Sequence, residues 1–160
     1  SNRGLALDLL GRHQEALAAH DRAIALRPDF PDAHNNRGAA LLGLGRHQEA
    51  LAACDRAIAL RPDYPDAHSN RAAALLYLGR ADLALEACER ALAIQPELIG
   101  AVYNKACALS RLARWNEALE WLGRAIVGDQ RNRELARTDP DFQRLREHPE
   151  HGPRFWALVG

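Results

Sequence analysis

The chain has 160 residues, and its 21 Lys and Arg residues balance its 21 Asp and Glu residues, so the formal net charge is zero. A neutral chain lacks the electropositive surface that nucleic acids and anionic membranes require, so we expect neither partner. Although 48% of the residues are hydrophobic, no apolar stretch approaches the roughly 20 residues of a membrane-spanning helix. Since most of these residues are Ala and Leu, and only 6% of the chain is aromatic, helices are favoured over strands.

The cysteine content indicates a reducing compartment. Cys54, Cys88 and Cys107 are odd in number and include no CxxC pair, which argues against a disulfide framework. The chain also shows no secretory signal with a charged start, an apolar middle and a small-residue cleavage site. We therefore expect a cytoplasmic location.

An internal repeat dominates the sequence. The stretch Gly11–His34 matches Gly45–His68 except at two places, His20/Cys54 and Phe30/Tyr64, and the offset is 34 residues. Such a period is typical of arrays of helix pairs, which stack on their neighbours to complete a core. The same offset relates four asparagines, three glycines and four alanines: Asn2, Asn36, Asn70 and Asn104; Gly11, Gly45 and Gly79; Ala16, Ala50, Ala84 and Ala118.

Each copy predicts two helices. In the second copy, Pro31 opens a first helix that runs to about Leu44, because proline is tolerated in a first turn. Gly45 ends this helix, since glycine adopts the left-handed conformation readily. A second helix begins near His47 and stops at Arg61-Pro62, because the residue before a proline avoids the helical region.

These residues resemble the tetratricopeptide repeat family. The resemblance rests on Gly38, Leu41, Gly45, Ala50, Ala57 and Pro62, together with their equivalents in the other copies. It implies an all-α, right-handed solenoid of antiparallel helix pairs, divided into a truncated first repeat at 1–30 and further repeats at 31–64, 65–98 and 99–130. Because the chain contains no Met and starts inside a repeat helix, we expect upstream sequence in the parent protein.

The last 30 residues, 131–160, depart from this pattern. They contain a short helical stretch, the sequence Asp139-Pro140-Asp141-Phe142 and further short amphipathic segments. A stack of helix pairs needs a terminal element to cover its last apolar face, so we interpret 131–160 as a cap. It resembles the DPDF-containing ends of some bacterial repeat proteins. A tail that binds a partner or another copy of the chain is the alternative.

No pattern in the chain predicts catalysis. Phosphate-binding glycine loops, GxSxG, HExxH and CxxC are all absent from the sequence. Histidines at equivalent places in neighbouring repeats should lie about 8–10 Å apart, too far to share one zinc ion. Cys54 and Cys88 occupy the place that His20 holds in the first copy and Leu122 holds in the fourth. This exchange indicates a packing role for the two thiols. We therefore predict no catalytic residue, no metal site, no cofactor and no enzyme activity.

The ladder of equivalent asparagines, Asn2, Asn36, Asn70 and Asn104, is the most specific candidate site. Asparagine is a mediocre helix former, and a carboxamide can both donate to and accept from a peptide backbone. In tetratricopeptide arrays the first helix of each pair lines the concave surface, and a similar ladder in O-GlcNAc transferases binds extended polypeptides. This resemblance implies that the ladder binds an extended peptide. The alternatives are local bonding within the stack and simple inheritance through duplication.

The residues around the ladder are expected to tune selectivity. They are Asn35, Ser69 and Tyr103, each directly before a rung, with Tyr77, Lys105 and Arg111 as larger or charged groups. Because these neighbours are mostly small and uncharged, we expect recognition of an extended, near-neutral segment. The sequence thus predicts a non-catalytic protein interaction scaffold. It leaves open a substrate-recruiting region of a larger enzyme, such as a protein glycosyltransferase, and a scaffold that self-assembles through its solenoid ends.

Overall fold

The computed structural model describes residues 11–160, and this part of the chain contains helices and turns but no strand. The expected first helix of the truncated repeat, its exposed end face and Asn2 lie outside the described residues. The helices, in chain order, are α1 His13–Leu26, α2 Pro31–Gly43, α3 His47–Leu60, α4 Pro65–Tyr77, α5 Ala81–Ile94, α6 Ile99–Arg111, α7 Trp115–Gly128, α8 Arg131–Thr138, α9 Gln143–Arg146 and α10 Gly152–Val159. A 3₁₀ turn at Pro140–Phe142 separates α8 from α9.

The long helices pack as sequence-adjacent pairs. The hairpins α2–α3, α4–α5 and α6–α7 follow one another, and each first helix also packs against the first helix of the next pair. This arrangement confirms the predicted all-α solenoid of antiparallel helix pairs. In the described part of the chain, no helix is long and apolar enough to cross a membrane.

The helix boundaries follow from the residues that the period repeats. Pro31 and Pro65 stand in the first turns of α2 and α4. Gly45 ends the turn after α2 with φ +71°, its N–H donates to Leu42 O, and the N–H of Arg46 donates to Leu41 O. This hydrogen-bond pattern is the Schellman motif, which requires a left-handed residue, and glycine adopts that conformation without strain.

Small residues allow the two helices of each pair to approach closely. At Gly38 on α2, an added Cβ would lie 2.7 Å from Cys54 Sγ and 3.4 Å from the backbone oxygen of Ala50 on α3. The alanines at the repeat period, Ala16, Ala50, Ala84 and Ala118, are fully buried. The Ala-rich composition therefore reflects the tight crossing of helices that a side chain larger than alanine would push apart.

Neighbouring pairs are also joined by a repeated ion pair. Arg37 Nε lies 2.7 Å from Asp21 on α1, and Arg71 Nε lies 2.7 Å from Asp55 on α3. Lys105 makes the equivalent contact with Glu89 on α5, at 3.4 Å. Each pair connects the first helix of one repeat to the second helix of the repeat before it. Because the acidic partners are half-exposed, each pair contributes only about 0–1 kcal/mol, and its main value is geometric.

The C-terminal segment, residues 131–160, packs on the last pair as a shortened helix pair. The 3₁₀ turn and α9 lie against α6, while α8 and α10 lie against α7. Phe142, Leu145, Phe155 and Val159 are fully buried there. The repeat register returns within this segment, because Gly152 at the start of α10 stands 34 residues after Ala118. A Cβ at Gly152 would lie 2.5 Å from Arg146 O, so this crossing is tighter than alanine would allow.

Candidate functional site

The asparagine ladder lies on the first helices of successive pairs. Asn36 is on α2, Asn70 on α4 and Asn104 on α6. Asn36 is 8% exposed, and Asn70 and Asn104 are half-buried. The three rungs therefore occupy equivalent places along one face of the stack, as their 34-residue spacing predicts.

Hydrogen bonds between repeats orient the rungs. Asn70 Nδ2 donates to Asn35 Oδ1 at 2.9 Å, and Asn35 Nδ2 donates in turn to Asn36 Oδ1 at 3.5 Å. Asn104 Nδ2 donates to the backbone oxygen of Ser69 at 3.1 Å. Because a backbone carbonyl can only accept, this last bond fixes which end of the Asn104 carboxamide faces the preceding repeat.

These contacts show that the rungs bond locally within the stack. They use one N–H of Asn70 and one of Asn104, and no described residue donates to the Oδ1 atom of either side chain. Each half-buried carboxamide therefore keeps one donor and its acceptor oxygen. The same bonds hold both side chains in one orientation before a ligand arrives, which lowers the entropy that binding would otherwise lose.

Tyr103 and Arg111, predicted as ligand contacts, are engaged by the C-terminal segment. The Tyr103 hydroxyl donates to Asp139 Oδ2 at 2.9 Å, and the Arg111 guanidinium pairs with the carboxylate of Asp141. Arg111 Nη1 also donates to Leu76 O at 2.6 Å, which ties α6 to α4. The structure thus brings these two residues to the end of the ladder face, where the 3₁₀ turn covers them.

Asp141 lies in an unfavourable electrostatic setting. Burial, and then the neighbouring charge of Asp139, raise the pKa of the Asp141 carboxyl, while its hydrogen bond to Arg111 opposes that rise. Burial likewise raises the pKa of the Tyr103 hydroxyl, and the Asp139 hydrogen bond adds to the effect. The phenol therefore stays protonated as a donor.

Three possible metal donors meet at this place. Cys107, Asp139 and Asp141 each offer one ligand atom, and these three atoms lie within 4.8 Å of one another. The Arg111 cation already pairs with Asp141, and Tyr103 donates to Asp139. Burial, followed by the charges of Asp139 and Asp141, raises the pKa of the Cys107 thiol well above its usual range, so the thiolate that a metal requires is disfavoured.

The remaining predicted contacts divide between the ladder face and the other side of the repeats. Ser69 is buried and accepts the hydrogen bond of Asn104 through its backbone oxygen. Tyr77, at the end of α4, is 66% exposed, and its ring stacks on His47 with centroids 4.2 Å apart. Lys105 points instead toward the second helices, where its ammonium lies near Glu89 and 4.3 Å from the centre of the Trp121 ring.

Two of the histidines and two of the cysteines have structural roles in the repeats. His34 and His68 each place Nε2 2.8 Å from the carbonyl oxygen of a repeat-closing proline, Pro28 or Pro62. Burial raises the pKa of the Cys54 and Cys88 thiols to about 12, so neither is a reactive thiolate near neutral pH. The sequence analysis weighed the histidines as zinc ligands and missed this hydrogen bond, because a spacing of six residues across a turn has no helical signature.

A groove that the sequence reasoning missed lies between α5, α6 and α7. Its volume is about 900 Å³, and apolar side chains dominate its lining: Leu92, Ile99, Val102, Trp121 and Val127. The sequence held one indication of this groove: α7 carries Gly123 and Gly128 at the places where α5 carries the larger residues Glu89 and Ile94. Glycine at 128 leaves space that the Ile99 side chain fills.

The helix pairs, their period and their short glycine turns define a helical-repeat solenoid. Tetratricopeptide repeat models match residues 2–65 and 65–98, which together make up more than half of the chain. The chain belongs to the tetratricopeptide repeat family. No curated protein sequence matches it.

Several solved structures share the fold. MamA (residues 41 to the end) from Desulfovibrio magneticus RS-1 is 23% identical with a TM-score of 0.73, and the match covers 99% of this chain and 90% of that one. YrrB, described as a TPR protein with an unusual peptide-binding site, is 18% identical with a TM-score of 0.70, over 99% and 81% of the two chains. The second TPR domain of human RPAP3, in complex with the HSP70 peptide SGPTIEEVD, is 27% identical with a TM-score of 0.63, over 67% and 89%.

Proposed function

We propose that this chain is a non-catalytic, cytoplasmic protein interaction module that binds an extended peptide segment along the ladder face. The observation that carries the proposal is the fixed orientation of Asn70 and Asn104, each of which keeps a donor and an acceptor after its bond to the preceding repeat. A carboxamide with both groups available matches the N–H and C=O of a peptide backbone.

The spacing of the rungs suits an extended ligand. First helices of neighbouring repeats lie about 10 Å apart, and an extended chain advances about 3.3 Å per residue. Successive rungs would then contact roughly every third residue of the segment. The human RPAP3 domain, at 27% identity, was solved with a bound peptide, which supports a peptide as the ligand class.

The surroundings of the rungs favour a near-neutral ligand. The side chains beside the rungs, such as Asn35, Ser69 and Ala73, are small and uncharged, and the Arg111 cation is already neutralised by Asp141. We propose that residues 131–160 act as the cap of the array and so mark the C-terminal limit of the open surface. Selectivity would therefore come from backbone hydrogen bonds and shape, with affinity in the weak range.

A peptide array tests this function. Fluorescein-labelled 15-residue peptides of neutral, proline-poor composition are screened by fluorescence polarisation against the wild type and the double variant Asn70→Ala/Asn104→Ala. Loss of two backbone contacts should weaken the bound peptides about ten-fold or more. Asn116→Ala is the matched control, because Asn116 lies on the second helix α7 and is exposed. Equal binding by the wild type and the double variant, or no bound peptide at all, would overturn the proposal.

A further inference from the structure

Tyr77 is the most exposed of the aromatic side chains at the ladder face. It is 66% exposed, whereas Tyr103, at an inner position of the next first helix, is 8% exposed. The ring nevertheless stacks on His47, since the two planes are within 6° of each other and the centroids are 4.2 Å apart. One face of the phenol is thus covered and held, while the other face is open to solvent.

The position of Tyr77 places it beside the peptide path proposed above. Tyr77 follows Asn70 by seven residues on α4, which is close to two helical turns, so the two side chains share one face of the helix about 10 Å apart. A small ligand side chain cannot bridge this distance from a backbone held at Asn70. A long side chain that extends along the helix can reach the open face of the ring.

The equivalent places in the neighbouring repeats leave the ring accessible. One repeat earlier stands Gly43, which has no side chain, and one repeat later stands Arg111. The Arg111 side chain turns away to Asp141 and to the carbonyl oxygen of Leu76. Neither neighbour therefore covers Tyr77.

Within residues 11–160, four other rings carry an Arg or Lys on one face at 4.3–5.6 Å from the ring centre: Phe30, Tyr64, Trp115 and Trp121. Among the described residues, Tyr77 has no such contact. The open face of Tyr77 is therefore free to stack on a ring of the ligand.

We propose that Tyr77, stacked on His47, is a specificity site that binds an aromatic side chain of the extended segment. This inference rests on the proposed function and adds the chemical class of one ligand residue. A phenylalanine, tyrosine or tryptophan is long enough to reach the ring, carries no charge, and extends the existing stack by a third ring. Aromatic pairs contribute about 0.5–1.5 kcal/mol beyond the area they bury, which corresponds to a gain of about three- to ten-fold in affinity.

A matched peptide series tests the site. The probes are peptides bound in the array above, each resynthesised with Phe, Leu, Lys or Ala at every position in turn, and titrated against the wild type, Tyr77→Phe and Tyr77→Ala. At one position in the register, Phe should bind the wild type about three- to ten-fold more tightly than Ala, with Lys no better than Ala. Tyr77→Phe should retain this preference and Tyr77→Ala should abolish it.

The outcomes separate the two proposals. A Phe preference that survives in Tyr77→Ala, or no preference at any position, would overturn the aromatic site. In both of those cases the loss of binding in Asn70→Ala/Asn104→Ala would still support the ladder. Trp156→Ala is the matched control, because Trp156 is 48% exposed on α10 in the C-terminal segment and should leave every peptide affinity unchanged.

Discussion

Two junctions in this molecule use the same face of a first helix in different ways. Between α2 and α4, the contact is the hydrogen bond that Asn70 donates to the side-chain oxygen of Asn35, with small neutral side chains around it. Between α6 and the C-terminal segment, Tyr103 donates to Asp139, Arg111 pairs with Asp141, and Phe142 is fully buried. The first junction leaves polar groups accessible, while the second covers them.

The difference lies at four equivalent positions of the first helices. At these positions α2 carries Asn35, Ala39, Leu42 and Gly43. The next first helix, α4, carries Ser69, Ala73, Leu76 and Tyr77, and α6 carries Tyr103, Cys107, Ser110 and Arg111. All four α6 residues contact the segment that follows, since the Cys107 thiol approaches Asp139 and the Ser110 hydroxyl donates to Asp141 O at 2.8 Å. Hydrogen-bond donors at these places bind the acidic turn.

The largest effect should come from removing the apolar anchor of the closed junction. Phe142→Ala leaves a cavity beside Tyr103 and Phe155, whose ring centres both lie 5.9 Å from that of Phe142. The free energy of unfolding should fall by about 3–5 kcal/mol, measured by urea denaturation with circular dichroism. Leu135→Ala, at a side chain that is 50% exposed on α8, should change stability far less. Equal losses in both variants would mean that the segment is not anchored through Phe142.

The next effect concerns the charge pair of the same junction. Arg111→Leu leaves the Asp141 side chain, which is 10% exposed, without its cation. Breaking a buried pair costs about 3–5 kcal/mol, and the 31% exposure of Arg111 should reduce the loss to about 2 kcal/mol. Adding Asp141→Asn should restore part of the stability in a double-mutant cycle. A double variant as unstable as the sum of both single variants would show that the two residues are not coupled.

A smaller effect is expected at the open junctions. Asn104→Ala removes the hydrogen bond to Ser69 O and should lower the free energy of unfolding by about 1 kcal/mol. Thermal melting of Asn104→Ala beside the wild type measures the loss. A destabilisation as large as that of Phe142→Ala would contradict the view that the ladder is a weak, accessible contact.

The smallest effect should distinguish two carboxyl groups by pH: Asp141 in the 3₁₀ turn and Asp32 on α2. The pKa of Asp141 is raised from 3.8, so its contribution to stability is fully present below that value and is lost as pH rises through the folded-state pKa. The pKa of Asp32 is lowered from 3.8, chiefly by the hydrogen bond from Arg61, so its contribution is present above that value and is lost as pH falls through the lowered pKa.

The comparison needs Asp141→Asn and Asp32→Asn unfolded in urea between about pH 3 and pH 7, beside the wild type. As pH falls, the free energy of unfolding of the wild type should rise relative to that of Asp141→Asn. Over the same range it should fall relative to that of Asp32→Asn. Parallel pH profiles for the two variants would contradict the opposite settings of these carboxyl groups.

The sequence predicted the repeat architecture because its determinants are local. Pro31, Gly45 and the Arg61-Pro62 step set the helix ends, and α2 and α3 begin and end within one residue of the predicted boundaries. The family assignment is confirmed by the repeat models. The ligand contacts at the ladder stay predictions.

The contacts of the C-terminal segment were beyond reach because they join residues about 30 positions apart. Their helical spacing alone predicted Tyr103 and Arg111 as residues of the groove. Their partners Asp139 and Asp141 depend on how the chain turns after α8, where Asp139 accepts from the N–H of Asp141 at 2.9 Å. Lys105 was similarly ambiguous, since helical spacing near the ladder did not reveal that its side chain lies against Glu89 and Trp121.

The repeated ion pairs also bear on how long such a surface can be. Deleting residues 35–68 would join His34 to Ser69 and recreate the sequence around His68 without a foreign junction, because the residues before both histidines are alike. Arg71 would then face Asp21, in the place that Arg37 now occupies at the same 2.7 Å spacing from its partner. The chain can therefore lose or gain one rung as a unit, which makes the reach of its binding surface adjustable in whole steps.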